Sequence, residues 1–200
     1  MKLYFMPGAC SLAPHIALRE ASLPFSLIEV DYRTRRTKGG GDYNAINFKG
    51  YVPALELETG DILTEVPVIL QYVDGRVPEA GLLPASGIHR LRSLEWLNFI
   101  ATEIHKSFSP LFRPTTPDSF FLPGRQHLRR RLAIVEDHLR GQAYLSGAGF
   151  SLPDIYLFVV CRWLSDQDMD VEEWPALQRH SDAISMRAAV RQALAEEGLA

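Results

Sequence analysis

Apolar residues come in short runs broken by turn residues over the first part of the chain, and at helical spacing over the rest. Lys2 to Met6 reads as a strand ended by Pro7-Gly8. Ser11 to Ser22 reads as a helix, with Ser11 as N-cap and Pro14 in its first turn. Phe25 to Asp31 reads as a second strand. A polar, glycine-rich loop follows from Arg33 to Gly41, then a short helix or turn near Asp42 to Ile46. Ala54 to Leu57 and Ile62 to Thr64 read as strands joined by the turn residues Thr59-Gly60-Asp61. Pro67 to Val73 reads as a helix with proline in its first turn. A βαβ start implies parallel strands with a right-handed crossover, and the last two strands make a hairpin. Residues 1–75 are therefore expected to form an α/β domain around a mixed four-stranded sheet.

Residues 76–86 read as a Pro/Gly-rich linker, and residues 87–200 as an all-helical domain. Leu94, Leu97, Ala101, Ile104 and Phe108 step by three and four and mark one face of a long helix. Leu128, Leu132, Val135 and Leu139 mark another. Ser151 to Leu164 and Leu177 to Leu194 supply more helix, as in a helical bundle.

Composition narrows the function classes. The chain has 200 residues, 46% of them hydrophobic, which suits a globular protein with a sizeable core. Its 21 basic and 24 acidic residues give a formal charge of −3, so no global attraction to nucleic acid is expected. The apolar run Ile155–Cys161 falls far short of the roughly 20 residues a membrane span needs. Pro7 and Gly8 interrupt the apolar start that a secretory signal would need. The two cysteines, Cys10 and Cys161, form neither a disulfide framework nor a CxxC pair. A cytoplasmic protein that binds no membrane is expected, and the six histidines show no metal-ligand spacing.

Chemistry-bearing residues sit at element junctions. Cys10 lies between the first strand and first helix, where N–H groups and the helix dipole favour a thiolate and bind anions. No second cysteine follows three residues on, so a local dithiol mechanism is excluded. Pro53 precedes a strand. An ordinary trans proline is the simpler local reading, while a cis bond would turn the Val52 N–H and C=O toward a peptide-like ligand. Glu65 opens a helix, either as a favourable dipole charge or as a receptor for a ligand ammonium beside a helix terminus that takes its carboxylate. Ser151 and Asp154 form a structural capping box worth about 1 kcal/mol or more. Asn98, Thr102 and His105 make a polar stripe on the long helix, either a solvated face or a cleft lining.

In this order, these signals resemble the cytosolic glutathione transferases, in particular the bacterial beta class. The resemblance covers essentially the whole chain. It rests on KLYFMPGACSLAPHIALRE (residues 2–20), NFKGYVPAL (47–55), ILTE (62–65), EWLNFIATEIHKSFSPLFRP (95–114) and FSLPDIYLF (150–158). It implies a thioredoxin-like glutathione-binding domain, a helical domain with an apolar second-substrate site, and a homodimer. Glutathione is then a co-substrate, and no metal is needed. Carried over by position, Cys10 faces the glutathione sulfur, aided by the helix terminus, the Ser11 hydroxyl and His105. Arg35 meets the glycyl carboxylate, Val52 before a cis Pro53 pairs with the cysteinyl backbone, and Glu65 and Val66 hold the γ-glutamyl end. Asn98, Thr102, Glu103 and His105 contact glutathione or line the cleft, partly across the dimer interface.

Two positions depart from the family pattern. Val66 stands where a Ser or Gly is usual and brings no hydroxyl, although its N–H can still donate. Phe5 stands where tyrosine-type classes place their hydroxyl. Phe108, Phe112 and Trp163 are candidates for the walls of the second-substrate pocket; the competing assignment is helical core, above all for Phe112. The implied reaction conjugates the glutathione thiolate to small apolar electrophiles. Two alternatives stand beside it: glutathione-dependent disulfide, peroxidase or dehalogenase chemistry through Cys10, and a non-catalytic binding or regulatory module.

Overall fold

The computed structural model describes residues 1–147 and 149–200 and divides the chain into two compact units. Unit one comprises Met1–Leu82 together with Met186–Ala200, and unit two comprises Leu83–Ser185. Residues 186–200, expected in the helical domain, thus belong to the first unit.

Unit one is built on a sheet of order β3-β2-β1-β4-β5. Its strands are β1 (Lys2–Phe5), β2 (Ser26–Asp31), β3 (Arg36–Thr37), β4 (Ala54–Glu56) and β5 (Ile62–Thr64). β1 runs parallel to β2, pairing Leu3 with Leu27, and antiparallel to β4, pairing Leu3 with Leu55. Four strands match the expected mixed sheet. The fifth, β3, is two residues long and pairs Thr37 with Val30 inside the polar loop. Alternation along β1 buries Leu3 and Phe5, while Tyr4 packs with Val30, Tyr43 and Ala54 in a separate cluster.

Helix α1 (Leu12–Glu20) connects β1 to β2 and packs against α2 (Val66–Arg76). Leu12, Ile16 and Leu18 are fully buried, as are Ile69, Leu70 and Val73 of α2. Ser11 flanks α1 without making a side-chain cap, contrary to the sequence expectation.

Unit two is helical: α3 (Gly87–Phe99), α4 (Lys106–Leu111), α5 (Asp118–Leu139), α6 (Leu152–Cys161) and α7 (Pro175–Ser185). The long helix expected through Phe108 is interrupted by a π-helical stretch, Ile100–His105. The wider turn puts Ile100 in the core with Leu97, Ile104 and Phe108, where the spacing had placed Ala101. Every residue of α6 is buried. The run read as helix from Leu177 to Leu194 breaks after Ser185, and α8 (Ala188–Glu196) packs on α1 in the first unit. No helix among the described residues is long and apolar enough to cross a membrane.

Candidate functional site

The first set of candidate residues is assembled by backbone turns at one end of the sheet. After β1, Ala9 N–H donates to Met6 O, Leu12 N–H to Ala9 O and Ala13 N–H to Cys10 O, so the chain winds directly into α1. The Ser11 hydroxyl is fully buried and closed on Met6, donating to its carbonyl and accepting from its N–H at 3.2 Å each. Its hydroxyl braces the turn. Gly8 N–H donates to Glu197 Oε2 at 2.9 Å, which ties the same turn to the end of the chain.

Cys10 is half-buried and its Sγ–H donates to the Val52 carbonyl at 3.4 Å. Burial pushes its thiol up to about 12, with the nearby Glu65 charge adding to the rise. The backbone N–H groups of Cys10 and Ser11 pull the other way and are outweighed. The balance favours the neutral thiol over the thiolate that the helix terminus alone would favour, and its hydrogen has an acceptor.

The Val52–Pro53 bond is cis. The loop before it is pinned from below. The Tyr43 hydroxyl donates to Tyr51 O at 3.1 Å, and buried Asn47 donates to the same oxygen at 2.7 Å while accepting from Lys49 N–H at 3.1 Å. Gly50 turns the loop with φ +73°, and a Cβ there would sit 3.3 Å from Asn44 Oδ1. The Arg35 guanidinium borders the same position, with Nη1 3.8 Å away. Arg35 is half-buried, has φ +55°, and stacks over the Tyr32 ring at 5.7 Å.

Glu65 sits at the start of α2 with φ +72°. Its carbonyl accepts from Val68 and Ile69 N–H, and Pro67 has no N–H, so the Val66 N–H is left as a donor at this helix end. The Val66 side chain is buried. The Glu65 carboxylate takes the Lys49 ammonium at 3.0 Å on Oε1, and Lys49 also donates to Thr64 Oγ1 at 2.9 Å. Cys10, Val52, Pro53, Arg35, Glu65 and Val66 thus gather around one pinned loop. Lys49, which joins the loop to α2, was missed by sequence reasoning. Its signal was present as a cation inside NFKGYVPAL, next to the glycine of a turn. Glu197 carried no local signal.

The remaining candidates lie in unit two. Asn98 Nδ2 donates to Leu94 O and Thr102 Oγ1 to Asn98 O, both within their own helix. Glu103 pairs with Arg131 at 3.0 Å. His105 Nδ1 meets the Tyr156 hydroxyl at 2.6 Å and its ring packs edge-on to Trp163. Phe108, Phe112 and Trp163 form one aromatic cluster, with ring centroids 5.4–6.0 Å apart. Phe108 is fully buried, whereas Phe112 is 46% exposed. Phe108 is thus enclosed within the helical unit, while Phe112, for which core was the competing reading, presents apolar surface. Ser151 and Asp154 make the expected capping box, with Ser151 N–H donating to Asp154 Oδ2 at 2.8 Å. Among the described residues, no group of His, Cys, Asp or Glu is placed to hold a metal ion.

Comparison with known proteins gives two family models along the chain. Residues 8–76 match the glutathione S-transferase N-terminal domain, and residues 99–188 match the glutathione S-transferase C-terminal domain. The chain is 43% identical over 200 residues to glutathione S-transferase GstA of Escherichia coli O157:H7, covering 100% of both chains. A sphingomonad glutathione S-transferase solved in complex with glutathione is 43% identical, with a TM-score of 0.96 and complete coverage of both chains. The bacterial beta class glutathione S-transferase of Sphingomonas chungbukensis is 40% identical, with a TM-score of 0.97 and the same coverage.

Proposed function

Since the chain belongs to the glutathione S-transferase family and resembles its bacterial beta class from end to end, we propose that it conjugates glutathione, its co-substrate, to small apolar electrophiles. The observation that carries this reading is the junction of Cys10 Sγ with the Val52 carbonyl before the cis proline. It puts a thiol beside the peptide edge along which a cysteine-centred tripeptide would pair. The Val52 backbone takes the cysteinyl unit, Arg35 the glycyl carboxylate, and Glu65 with the Val66 N–H the γ-glutamyl end.

The chemistry follows from the donors. The glutathione thiol gives its proton to water. The N–H groups of Cys10 and Ser11 then stabilise the thiolate, and the Cys10 S–H turns from the Val52 carbonyl to it as a further donor. The thiolate attacks the electrophilic carbon, and the leaving group departs with its bonding electrons. Holding both reactants in place supplies much of the acceleration. Cys10 is a donor in this scheme rather than a nucleophile. The exposed face of Phe112, with Trp163, supplies apolar surface for the electrophile.

The polar stripe Asn98, Thr102, Glu103 and His105 is assigned to the same substrate within a homodimer. We place the protein in the cytoplasm, where its free Cys10 and Cys161 stay reduced. The test is retention on immobilised glutathione together with conjugation of a chloronitrobenzene. Folded protein that does neither overturns the proposal. Cys10→Ala is expected to conjugate at a reduced rate; complete loss would make Cys10 a covalent participant.

A further inference from the structure

The missing hydroxyl at Val66 raises the question of what meets the α-carboxylate of a γ-glutamyl group. We infer that Lys49 does, so that Lys49, Glu65 and the Val66 N–H together form a receptor for an amino-acid zwitterion; this rests on the glutathione reading above.

The donor arithmetic is specific. A lysine ammonium has three N–H donors. Lys49 spends one on Thr64 Oγ1 at 2.9 Å and one on Glu65 Oε1 at 3.0 Å, which leaves one. The Glu65 carboxylate in turn keeps Oε2 for a ligand ammonium. The Val66 N–H, left over from the helix ladder, lies at the same corner. A zwitterion closes this arrangement: its ammonium on Glu65, its carboxylate on Lys49 and Val66, with charges alternating around the ring.

Lys49 is also held for the task. Its main chain is tied to buried Asn47 on one side and turns at Gly50 on the other, and its side chain is only 32% exposed. As a surface ion pair alone, Lys49–Glu65 would contribute at most about 1 kcal/mol and have no bearing on ligand choice. A role in reading the carboxylate instead predicts a ligand-dependent effect.

Two ligands separate these cases by calorimetry on the full-length protein. One is glutathione; the other is its analogue lacking only the γ-glutamyl α-carboxylate, 4-aminobutyryl-cysteinyl-glycine. Lys49→Met is expected to weaken glutathione binding roughly tenfold. Affinity for the analogue, already weak in the wild-type chain, should stay within about twofold. Lys49→Arg, which keeps a cation and its donors, should recover most of the loss. Equal weakening of both ligands, or no weakening of glutathione, overturns the assignment of Lys49. Failure of the wild-type chain to bind glutathione overturns the glutathione reading itself, and this inference with it.

Discussion

At the scale of single residues, Cys10 sets two influences against each other. A helix N-terminus lowers a thiol by offering N–H groups to the anion, while burial raises it by withholding water. Here burial wins, reinforced by the Glu65 carboxylate, and the thiol rises to about 12. The raised value means that the folded state prefers the neutral thiol. Its contribution to stability is full below the ordinary cysteine value of about 8.5 and is lost as pH climbs toward the folded one. Alkylation of Cys10 by iodoacetamide, read by peptide mass spectrometry, should therefore be slow near neutrality and still rising at about pH 10. In urea it should follow the ordinary cysteine curve. A native profile with its midpoint below about pH 8.5 would show that the helix terminus prevails. The sequence exposed one side of this balance: a cysteine before a helix is visible in the string, whereas the depth of its burial and the approach of Glu65 depend on how distant segments pack.

Single elements show the same division between local and distant information. The capping box at α6 was legible because Ser151 and Asp154 are three residues apart. What the spacing did not reveal is that Asp154 also accepts from Leu145 N–H at 2.8 Å and from His180 Nε2 at 2.9 Å, fully buried. An exposed cap contributes about 1 kcal/mol, but removing one partner of a buried, charged network strands the others and costs about 3–5 kcal/mol. Asp154→Ala should thus lower the thermal midpoint sharply. Asp170→Ala, in the solvent-exposed capping box at Val171–Glu173, should cost no more than about 1 kcal/mol. Similar losses from both variants in denaturant melts would contradict the role of the Asp154 network. Two elements escaped sequence reading for lack of a pattern. β3 is a pair of polar residues that backbone pairing alone makes a strand, and the π-helical turn shifts the buried face by one residue without a proline or glycine to mark it.

Across the whole molecule, the chain leaves its first unit at Leu82 and returns to it at Met186. Nothing in the sequence announces this return, since α7 and α8 share one helical periodicity. The return is anchored by charge. Arg187 grips Glu20 through two hydrogen bonds of 2.6 and 2.9 Å, and Arg19 pairs with Glu196. His15, fully buried on α1, meets Glu197 at Nδ1 and Glu196 at Nε2, each at 2.8 Å. Because Glu197 also holds the Gly8 N–H, the end of the chain braces the turn that carries Cys10. Burial pushes the Glu196 carboxyl up, but hydrogen bonds from Gln192, His15 and Arg19 outweigh it and hold it below the usual carboxylate range. A depressed carboxyl stabilises the fold above its unfolded value, and that contribution vanishes as pH falls through the lower, folded one. The urea midpoint of the wild-type chain should accordingly fall as pH drops below about 4. Glu196→Gln should begin from a lower midpoint at neutral pH and lose less of it in acid, since it has no proton to gain at this site. Parallel curves for the two proteins would mean that the Glu196 contacts do not carry the attachment, leaving Arg187–Glu20 and apolar packing to hold α8 in place.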